Sequence, residues 1–153
     1  MTVMTGLPVQ AIAHWALKTH NAESLLGFYR DTLGFAEMMR LNRDDGSLWL
    51  VYLRVTDTQY LEIFPDGEPG AAPSEDVTAM NHICLAVDSV DATAEWLETK
   101  GVAIFRAPKL GADGNRQCWI KDPDGNRIEF MQMLPGNMQE VAIRRLRETR
   151  RSP

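Results

Sequence analysis

Residues 119–131 read Trp119-Ile120-Lys121-Asp122-Pro123-Asp124-Gly125-Asn126-Arg127-Ile128-Glu129-Phe130-Met131. Two apolar runs flank a segment of Asp, Pro, Gly and Asn, which is the composition of a β-hairpin turn. In the second run, strand geometry places Glu129 on one sheet face and Ile128 and Phe130 on the other. Because burying an unpaired carboxylate is costly, Glu129 must be exposed, paired or bound to a cation.

The chain contains a second copy of this pattern. Leu61-Glu62-Ile63-Phe64 resembles the run around Glu129, and the two glutamates are 67 residues apart. His14 and His82 each lie near the start of a short apolar run, 68 residues apart. Repetition at one offset is the signature of a duplicated structural unit.

Each half also has the same order of predicted elements. A helical pattern follows each histidine run, with N-caps at Asn21 and at Ser89 or Asp88. Gly34 and Gly101, again 67 residues apart, lie where each helix would end on a left-handed residue. In the first half the predicted helix is Glu23–Leu33, and the strands after it are Phe35–Leu41, Leu48–Val55 and Gln59–Phe64. In the second half the helix is Asp91–Lys100, and the strands after it are Ala103–Ala107, Gln117–Lys121 and Arg127–Met133. The sequence therefore predicts two β-α-β-β-β modules of an α+β protein.

The length of 153 residues and the 44% hydrophobic content fit a single domain over residues 1–153. We predict module one at about 10–64, a linker rich in Pro, Gly and acidic residues at 65–79, and module two at about 80–134. A C-terminal helix is expected at about 137–151. Its basic run is interpreted as a solvated helix face, since cations are favoured near a helix C-terminus.

The composition disfavours several classes of protein. The net charge of −5 disfavours nucleic-acid binding, which requires a basic face. No apolar stretch approaches the ~20 residues of a membrane span, and residues 1–10 lack the pattern of a signal peptide. The two cysteines, Cys84 and Cys118, are too few for a disulfide framework and are interpreted as free thiols. We therefore expect a cytoplasmic protein that binds neither membrane nor nucleic acid.

The repeated polar residues indicate a metal site. A single strand glutamate or a single histidine is usually structural. Two matched copies, His14 with Glu62 and His82 with Glu129, would bring two imidazoles and two carboxylates to one pseudo-twofold centre. Such mixed nitrogen and oxygen ligation suits Zn, Ni, Co, Mn or Fe(II), among which the sequence does not choose.

The duplicated layout, the order His–Glu–His–Glu, Tyr29-x-x-x-Leu33-Gly34-Phe35 and the 119–129 segment resemble the vicinal oxygen chelate superfamily, which includes glyoxalases, bleomycin-resistance proteins and extradiol dioxygenases. The likeness covers roughly residues 10 to 134 and is greatest for glyoxalase I, the lactoylglutathione lyases. It implies two modules that form a curved, cupped mixed sheet around one divalent metal ion. It also implies a homodimer, with the four ligands drawn from one chain or from two.

The resemblance further implies the chemistry. Glyoxalase I acts on the hemithioacetal of methylglyoxal and glutathione, and the metal, as a Lewis acid, stabilises an enediolate on adjacent substrate oxygens. A ligand carboxylate moves a proton between neighbouring carbons. By position, Glu129 would be the principal base and Glu62 its catalytic partner, while His14 and His82 would be metal ligands.

Two positions depart from the glyoxalase I pattern. Lys18 stands where the family has an arginine, and Asp66 stands where it has an asparagine that helps to hold glutathione. A lysine lacks the bidentate fork of arginine, and an aspartate would repel a glutathione carboxylate. Lys109 and Arg116 are further candidates for an anionic substrate, or are solvated charges. The sequence therefore does not identify the substrate.

Other members of the superfamily provide alternatives. A methylmalonyl-CoA epimerase-like enzyme also moves a proton, but that family usually has glutamine at the position of Glu62. An extradiol dioxygenase would use two histidines and one carboxylate as iron ligands, whereas this chain has a second candidate carboxylate, Glu62. A non-enzymatic binding or resistance protein generally lacks the metal ligands that this chain retains.

Overall fold

A computed structural model of the protein describes residues 8–149. The chain forms two compact units, the first ending at Gly70 and the second beginning at Ala71. Each unit contains a four-stranded mixed sheet with helices, which confirms the predicted α+β class and the duplicated order of elements. The single-domain organisation over residues 1–153 stays a prediction.

The first unit follows the β-α-β-β-β order. Its sheet has the strand order β1-β4-β3-β2, in which β1 runs parallel to β4 and the other neighbours are antiparallel. The elements are β1 (His14–Lys18), α1 (Ala22–Leu26) continued by a π-helical segment (Gly27–Thr32), β2 (Ala36–Asn42), β3 (Leu48–Arg54) and β4 (Tyr60–Phe64).

The core of the first unit lies between one sheet face and α1. Alternation along β4 buries Leu61 and Ile63 completely on this face, whereas Glu62 points to the opposite face. α1 packs against β4, and Leu25 and Tyr29 are fully buried. Burying the apolar residues of β4 on one face thus fixes the direction of the Glu62 carboxylate.

The helix predicted at Glu23–Leu33 changes type within its span. After Leu26 the backbone hydrogen bonds connect residues five positions apart instead of four. The Leu33 N–H, for example, donates to the carbonyl of Phe28 at 2.9 Å. The Thr32 hydroxyl also donates to the carbonyl of Gly27 at 3.3 Å. Periodicity predicted the helix, but the wider turn depends on these local hydrogen bonds.

The second unit repeats the arrangement and adds a C-terminal helix. Its sheet order is β5-β8-β7-β6, with β5 parallel to β8 and the other pairs antiparallel. The elements are β5 (Ile83–Ala86), α2 (Val90–Thr99), β6 (Ile104–Leu110), β7 (Arg116–Lys121), β8 (Arg127–Gln132) and α3 (Met138–Thr149).

The predicted helix ends are confirmed. The side chain of Asn21 accepts the Ser24 N–H at 3.1 Å, and Ser89, not Asp88, caps α2 by accepting the Ala92 N–H at 3.2 Å. After the helices, Gly34 has a φ of 81° and Gly101 a φ of 70°. Side chains rarely adopt this left-handed conformation, which explains glycine at both positions.

α3 is anchored at its start and lies exposed beyond it. The Met138 N–H donates to the carbonyl of Asp113 at 2.9 Å, and none of the described residues of α3 is buried. Arg150 and Arg151, included in the predicted helix, lie outside the described residues. Within residues 8–149, no helix combines the length and the apolar character needed to cross a bilayer.

Asn115 joins three segments of the second unit, and its replacement by alanine is expected to destabilise the protein. Its side-chain amide donates to Asp113 and to Gln139, each at 3.0 Å, and its oxygen accepts the Leu134 N–H at 3.0 Å. The residue is fully buried. Because the variant leaves these groups unsatisfied, we expect a loss of about 1–3 kcal/mol in the free energy of unfolding, measured by urea denaturation.

Asn42→Ala, at an exposed position in β2, is the matched control and should change the free energy of unfolding by no more than about 0.5 kcal/mol. Equal stability of the two variants would show that Asn115 does not hold these segments together.

Candidate metal centre

The first unit brings one predicted histidine and one predicted glutamate together. β1 and β4 are parallel neighbours, and the register pairs the Cα atoms of Ala16 and Glu62. His14 Nε2 lies 3.7 Å from Glu62 Oε2. The His14 side chain is 42% exposed and that of Glu62 only 12%, so the carboxylate is shielded while the imidazole remains accessible.

The second unit brings together the equivalent pair more closely. Here the register of β5 and β8 pairs Cys84 with Glu129, and His82 Nε2 lies 3.1 Å from Glu129 Oε2. The exposed fractions are 31% for the His82 side chain and 11% for that of Glu129. Both predicted pairs thus form, each across a parallel strand pair.

Asn81 is a polar partner of His82. Its side-chain oxygen lies 2.8 Å from His82 Nδ1. The other ring nitrogen, Nε2, faces Glu129. A hydrogen bond on the far nitrogen is also the usual arrangement of a metal-ligating histidine.

Aromatic rings orient both imidazoles. The rings of His14 and Tyr60 are stacked, with centroids 5.3 Å apart and an interplanar angle of 20°. The ring of His82 contacts Trp119 edge to face, with centroids 4.5 Å apart. Trp119 is 6% exposed and fills the space beside the second pair. The imidazoles are therefore constrained by packing as well as by their polar partners.

Each carboxylate has a protonated neighbour on an adjacent strand. Tyr52 is the register partner of Glu62, and burial followed by the Glu62 charge raises the pKa of Tyr52. Cys84 is the register partner of Glu129, and burial followed by the Glu129 charge raises the pKa of Cys84 to about 12. Both groups are protonated at neutral pH, so Cys84 is a thiol and not a thiolate ligand.

Each His–Glu pair lies within one unit of the chain. Among residues 8–149, no cluster of three or more His, Cys, Asp or Glu side chains is placed to hold a metal ion. Each pair by itself therefore provides one nitrogen and one oxygen donor. The convergence of all four on one cation stays a prediction.

Two of the predicted substrate-binding residues lie at the end of the first sheet. Lys18 is the last residue of β1 and is exposed. Asp66 follows β4 with a φ of 64° and accepts a hydrogen bond from Arg43 Nη2 at 2.7 Å. Arg43 also donates to the carbonyl of Leu48 at 2.7 Å, which ties Asp66 to the turn between β2 and β3. The Asp66 charge is thus largely compensated within the unit.

The other two candidates lie on the second sheet. Lys109 is exposed on β6 and is paired in register with Gln117. Arg116 begins β7 and forms an ion pair with Asp91 in the first turn of α2. This contact gives Arg116 a structural role between strand and helix, and its role in substrate binding stays a prediction.

Several residues beside the pairs were not among the predicted site residues. Asn81 lies within hydrogen-bond distance of His82, Tyr60 stacks on His14, and Tyr52 is the register partner of Glu62. The position of Asn81 next to His82 was only a weak indication in the sequence that Asn81 belongs to the site. Tyr52 lies ten positions before Glu62, and sequence spacing contains no sign that the register of β3 and β4 pairs them.

The chain is similar to several known proteins. A 28% identical relative over 123 residues is a lactoylglutathione lyase from Haemophilus influenzae, covering 79% of this chain and 91% of the relative. The mitochondrial methylmalonyl-CoA epimerase of Mus musculus is 28% identical over 126 residues, 78% of this chain and 71% of that protein. The crystal structure of TnmS3, an antibiotic-binding protein from Streptomyces sp. CB03234, matches with a TM-score of 0.65 at 22% identity, covering 84% of this chain and 100% of that one.

The match to the family profile spans most of the chain. Residues 11–130 match the profile, a range that begins before β1 and ends within β8 and so includes both His–Glu pairs. The chain therefore belongs to the Glyoxalase/Bleomycin resistance protein/Dioxygenase superfamily.

Proposed function

We propose that the protein is a divalent-metal-dependent lyase or isomerase of the glyoxalase I type, which transfers a proton between neighbouring carbons of a substrate with adjacent oxygens. The observation that supports this proposal is the duplicated pair, in which an imidazole nitrogen faces a shielded carboxylate oxygen at 3.7 Å and at 3.1 Å. Duplication of a functional pair is unexpected for residues that serve the fold alone.

The donor set fits a divalent cation. In the proposed ligand set, His14, Glu62, His82 and Glu129 provide two nitrogen and two oxygen donors, which suits Ni, Zn, Co, Mn or Fe(II). In the second unit His82 Nε2 lies 3.1 Å from Glu129 Oε2, so one nitrogen and one oxygen donor face each other. When bound, the metal supplies Lewis-acid stabilisation of negative charge on the substrate oxygens.

The protein's own part in the reaction is proton transfer. In the proposed mechanism, a Glu129 carboxylate oxygen accepts the proton from one substrate carbon, and the electron pair of the broken C–H bond moves toward the adjacent oxygen. Glu129 then returns the proton to the neighbouring carbon and is again ionised. Glu62 assists as the second carboxylate, and the two histidines orient the site. Such a base must lie within hydrogen-bond reach of the proton it transfers.

The substrate is proposed to be a small molecule, with the glutathione hemithioacetal as the first to test. The ion pair of Asp66 with Arg43 compensates the negative charge near the end of β4, which weakens the repulsion of an anionic substrate. Lys18 is exposed and available for such a substrate. Lys109 and Arg116 remain proposed contacts for the same reason, their positive charge.

Metal binding is the first expected result. Wild-type protein purified without chelators should contain a divalent metal, and EDTA should abolish turnover of the methylglyoxal–glutathione hemithioacetal until Ni²⁺ or Zn²⁺ is added. Because a ligand that binds the folded state stabilises it by about 2.7 kcal/mol at one hundred times Kd, removal of the metal should also lower the melting temperature. Elemental analysis, a coupled assay and calorimetry measure the three effects.

The third histidine provides a matched control. His14→Ala should lose most of its metal affinity, whereas His20→Ala, at an exposed position outside both pairs, should retain it. Equal affinity of the two variants would remove His14 from the ligand set. Mixing a variant disabled at His14 and Glu62 with one disabled at His82 and Glu129 tests whether the predicted homodimer shares the site, because recovered activity requires ligands from two chains.

A methylmalonyl-CoA epimerase-like activity is the second candidate, supported by the 28% identity to the mouse epimerase. It uses the same proton transfer, so the residue roles are unchanged. Turnover of methylmalonyl-CoA without turnover of the hemithioacetal would select it. A chain that contains no metal and turns over neither substrate would instead be a binding protein.

A further inference from the structure

An arginine of the second sheet is separated from the His82–Glu129 pair by a single tryptophan. Arg106, Trp119 and Glu129 are register partners across β6, β7 and β8. Arg106 Cζ lies 5.1 Å from the centroid of the Trp119 ring, and the His82 ring lies 4.5 Å from the same ring. Since neighbouring strands are about 4.8 Å apart, the backbones of Arg106 and Glu129 are separated by roughly 10 Å. A small organic molecule can span this distance.

An aromatic ring and a second cation lie beside the Arg106 guanidinium. Arg106 Cζ is 5.3 Å from the centroid of the Phe105 ring, and Lys121 Nζ is 5.1 Å from that centroid. Phe105 is 39% exposed, and the side chain of Arg106 is 37% exposed. A planar guanidinium that is stacked on aromatic rings and still reached by solvent suits the recognition of carboxylates. These residues therefore provide an accessible position for an anionic group.

A carboxylate of the chain itself occupies this position. Arg106 Nη2 lies 2.7 Å from Glu75 Oε1 and 2.8 Å from Glu75 Oε2, so one nitrogen meets both oxygens. This contact does not engage the two-nitrogen fork through which arginine binds carboxylates most strongly. The Glu75 side chain is 44% exposed. Because an exposed ion pair contributes little to stability, another carboxylate can replace Glu75 without disturbing the fold.

The segment that contains Glu75, predicted as the linker, is attached to the second unit by other contacts. Arg127 is 6% exposed and donates from Nε to the carbonyl of Asn81 at 2.8 Å and from Nη1 to the carbonyl of Pro73 at 2.9 Å. These two carbonyls lie on either side of Glu75 in the sequence. The segment can therefore stay attached when the Glu75 side chain leaves Arg106.

We propose that Arg106 is a specificity-determining residue that binds a carboxylate of the substrate, and that Glu75 competes with this carboxylate for the guanidinium. The inference rests on the proposed function and names the substrate class, an organic acid whose carboxylate lies roughly 10 Å from its adjacent oxygens. A glutathione hemithioacetal, which has two carboxylates, is one member of this class. A substrate without a carboxylate would leave Glu75 in place and gain nothing from Arg106.

The test uses calorimetry to compare a carboxylate ligand with its ester. S-methylglutathione has two carboxylates, and its dimethyl ester has nearly the same shape without them. Arg106→Met removes charge-assisted hydrogen bonds, so we expect the Kd for the acid to rise about 10-fold and that for the ester to change less than about twofold. Arg106→Lys should give an intermediate Kd for the acid, because lysine retains the charge but lacks the fork.

The competitor is tested by Glu75→Gln. Since this substitution frees the guanidinium from an exposed ion pair, we expect the Kd for the acid to fall about two- to fivefold, and that for the ester not to fall. Asp57→Asn is the matched control, because it removes a carboxylate from another exposed ion pair, that with Arg54 in the first unit. Asp57→Asn should leave both Kd values unchanged.

Two results would overturn the inference. One is an equal Kd for the acid in wild type and Arg106→Met, and the other is a failure of both wild type and Glu75→Gln to bind the acid. The proposed function is tested separately with the uncharged hemithioacetal of methylglyoxal and N-acetylcysteamine, which needs no carboxylate contact. Turnover of that substrate without an effect of Arg106 on the acid would reject this inference alone. Binding of the acid that depends on Arg106, in a chain that turns over no hemithioacetal, would support the carboxylate site and reject the proposed function.

Discussion

Replacement of Glu129 by glutamine is expected to lower the turnover number by about 100- to 10,000-fold, the usual contribution of a general base. Glutamine retains an oxygen at nearly the same position but has no carboxylate to accept the substrate proton. Because residue 129 is only 9% exposed and glutamine has almost the same volume as glutamate, the fold should be preserved. Steady-state kinetics of the metal-loaded variant measure the effect.

Two measurements make this result specific. Elemental analysis must show that the variant still contains the metal, so that loss of turnover reports loss of the base. Glu95→Gln, at an exposed position in α2, makes the same chemical change away from both pairs and should be fully active. Wild-type turnover by the Glu129 variant would exclude it as the base.

Truncation of Tyr29 to alanine is expected to reduce the free energy of unfolding by about 3–5 kcal/mol, as for other large buried aromatics. Tyr29 lies in the π-helical segment of the first unit and is fully buried. Its ring contacts Phe28 with centroids 5.2 Å apart and Phe35 at 5.9 Å, so its removal leaves a cavity and ends both contacts. Urea denaturation measures the change.

Since a typical protein of this size is stable by only about 5–15 kcal/mol, the Tyr29 variant should melt at a clearly lower temperature. Ile12→Ala removes an apolar side chain that is 70% exposed, and it should leave the midpoint of unfolding almost unchanged. A Tyr29 variant as stable as this control would mean that the ring is not a core residue.

Much of the fold was predictable because its signals are local. The turn residues at 122–126 form the predicted hairpin, in which the Asp122 N–H donates to the Asn126 carbonyl at 3.0 Å and Gly125 has a φ of 87°. Alternation along β4 and β8 predicted that Glu62 and Glu129 face away from the apolar core. Strand boundaries moved by a few residues, as at β6, which extends to Leu110 and not to Ala107.

The approach of each histidine to its glutamate was also foreseeable, because the repeat marked both pairs. Their roles in catalysis, the four-ligand site, the homodimer and the cytoplasmic location stay predictions. The substrate contacts were less predictable. Asp66 was expected to repel a glutathione carboxylate, and no local pattern indicates that Arg43, 23 positions earlier, forms an ion pair with it.

The sequence alone determined the duplicated β-α-β-β-β order, the helix caps and the sheet face on which Glu62 and Glu129 lie, because these depend on residues adjacent in the chain or repeated at a fixed offset. The tertiary structure alone decided which side chains lie beside each carboxylate. Tyr52 meets Glu62 through the register of two strands, and Trp119, at the matching position beside Glu129, turns to Gln117. Such contacts depend on strand pairing and side-chain packing, which no local pattern encodes.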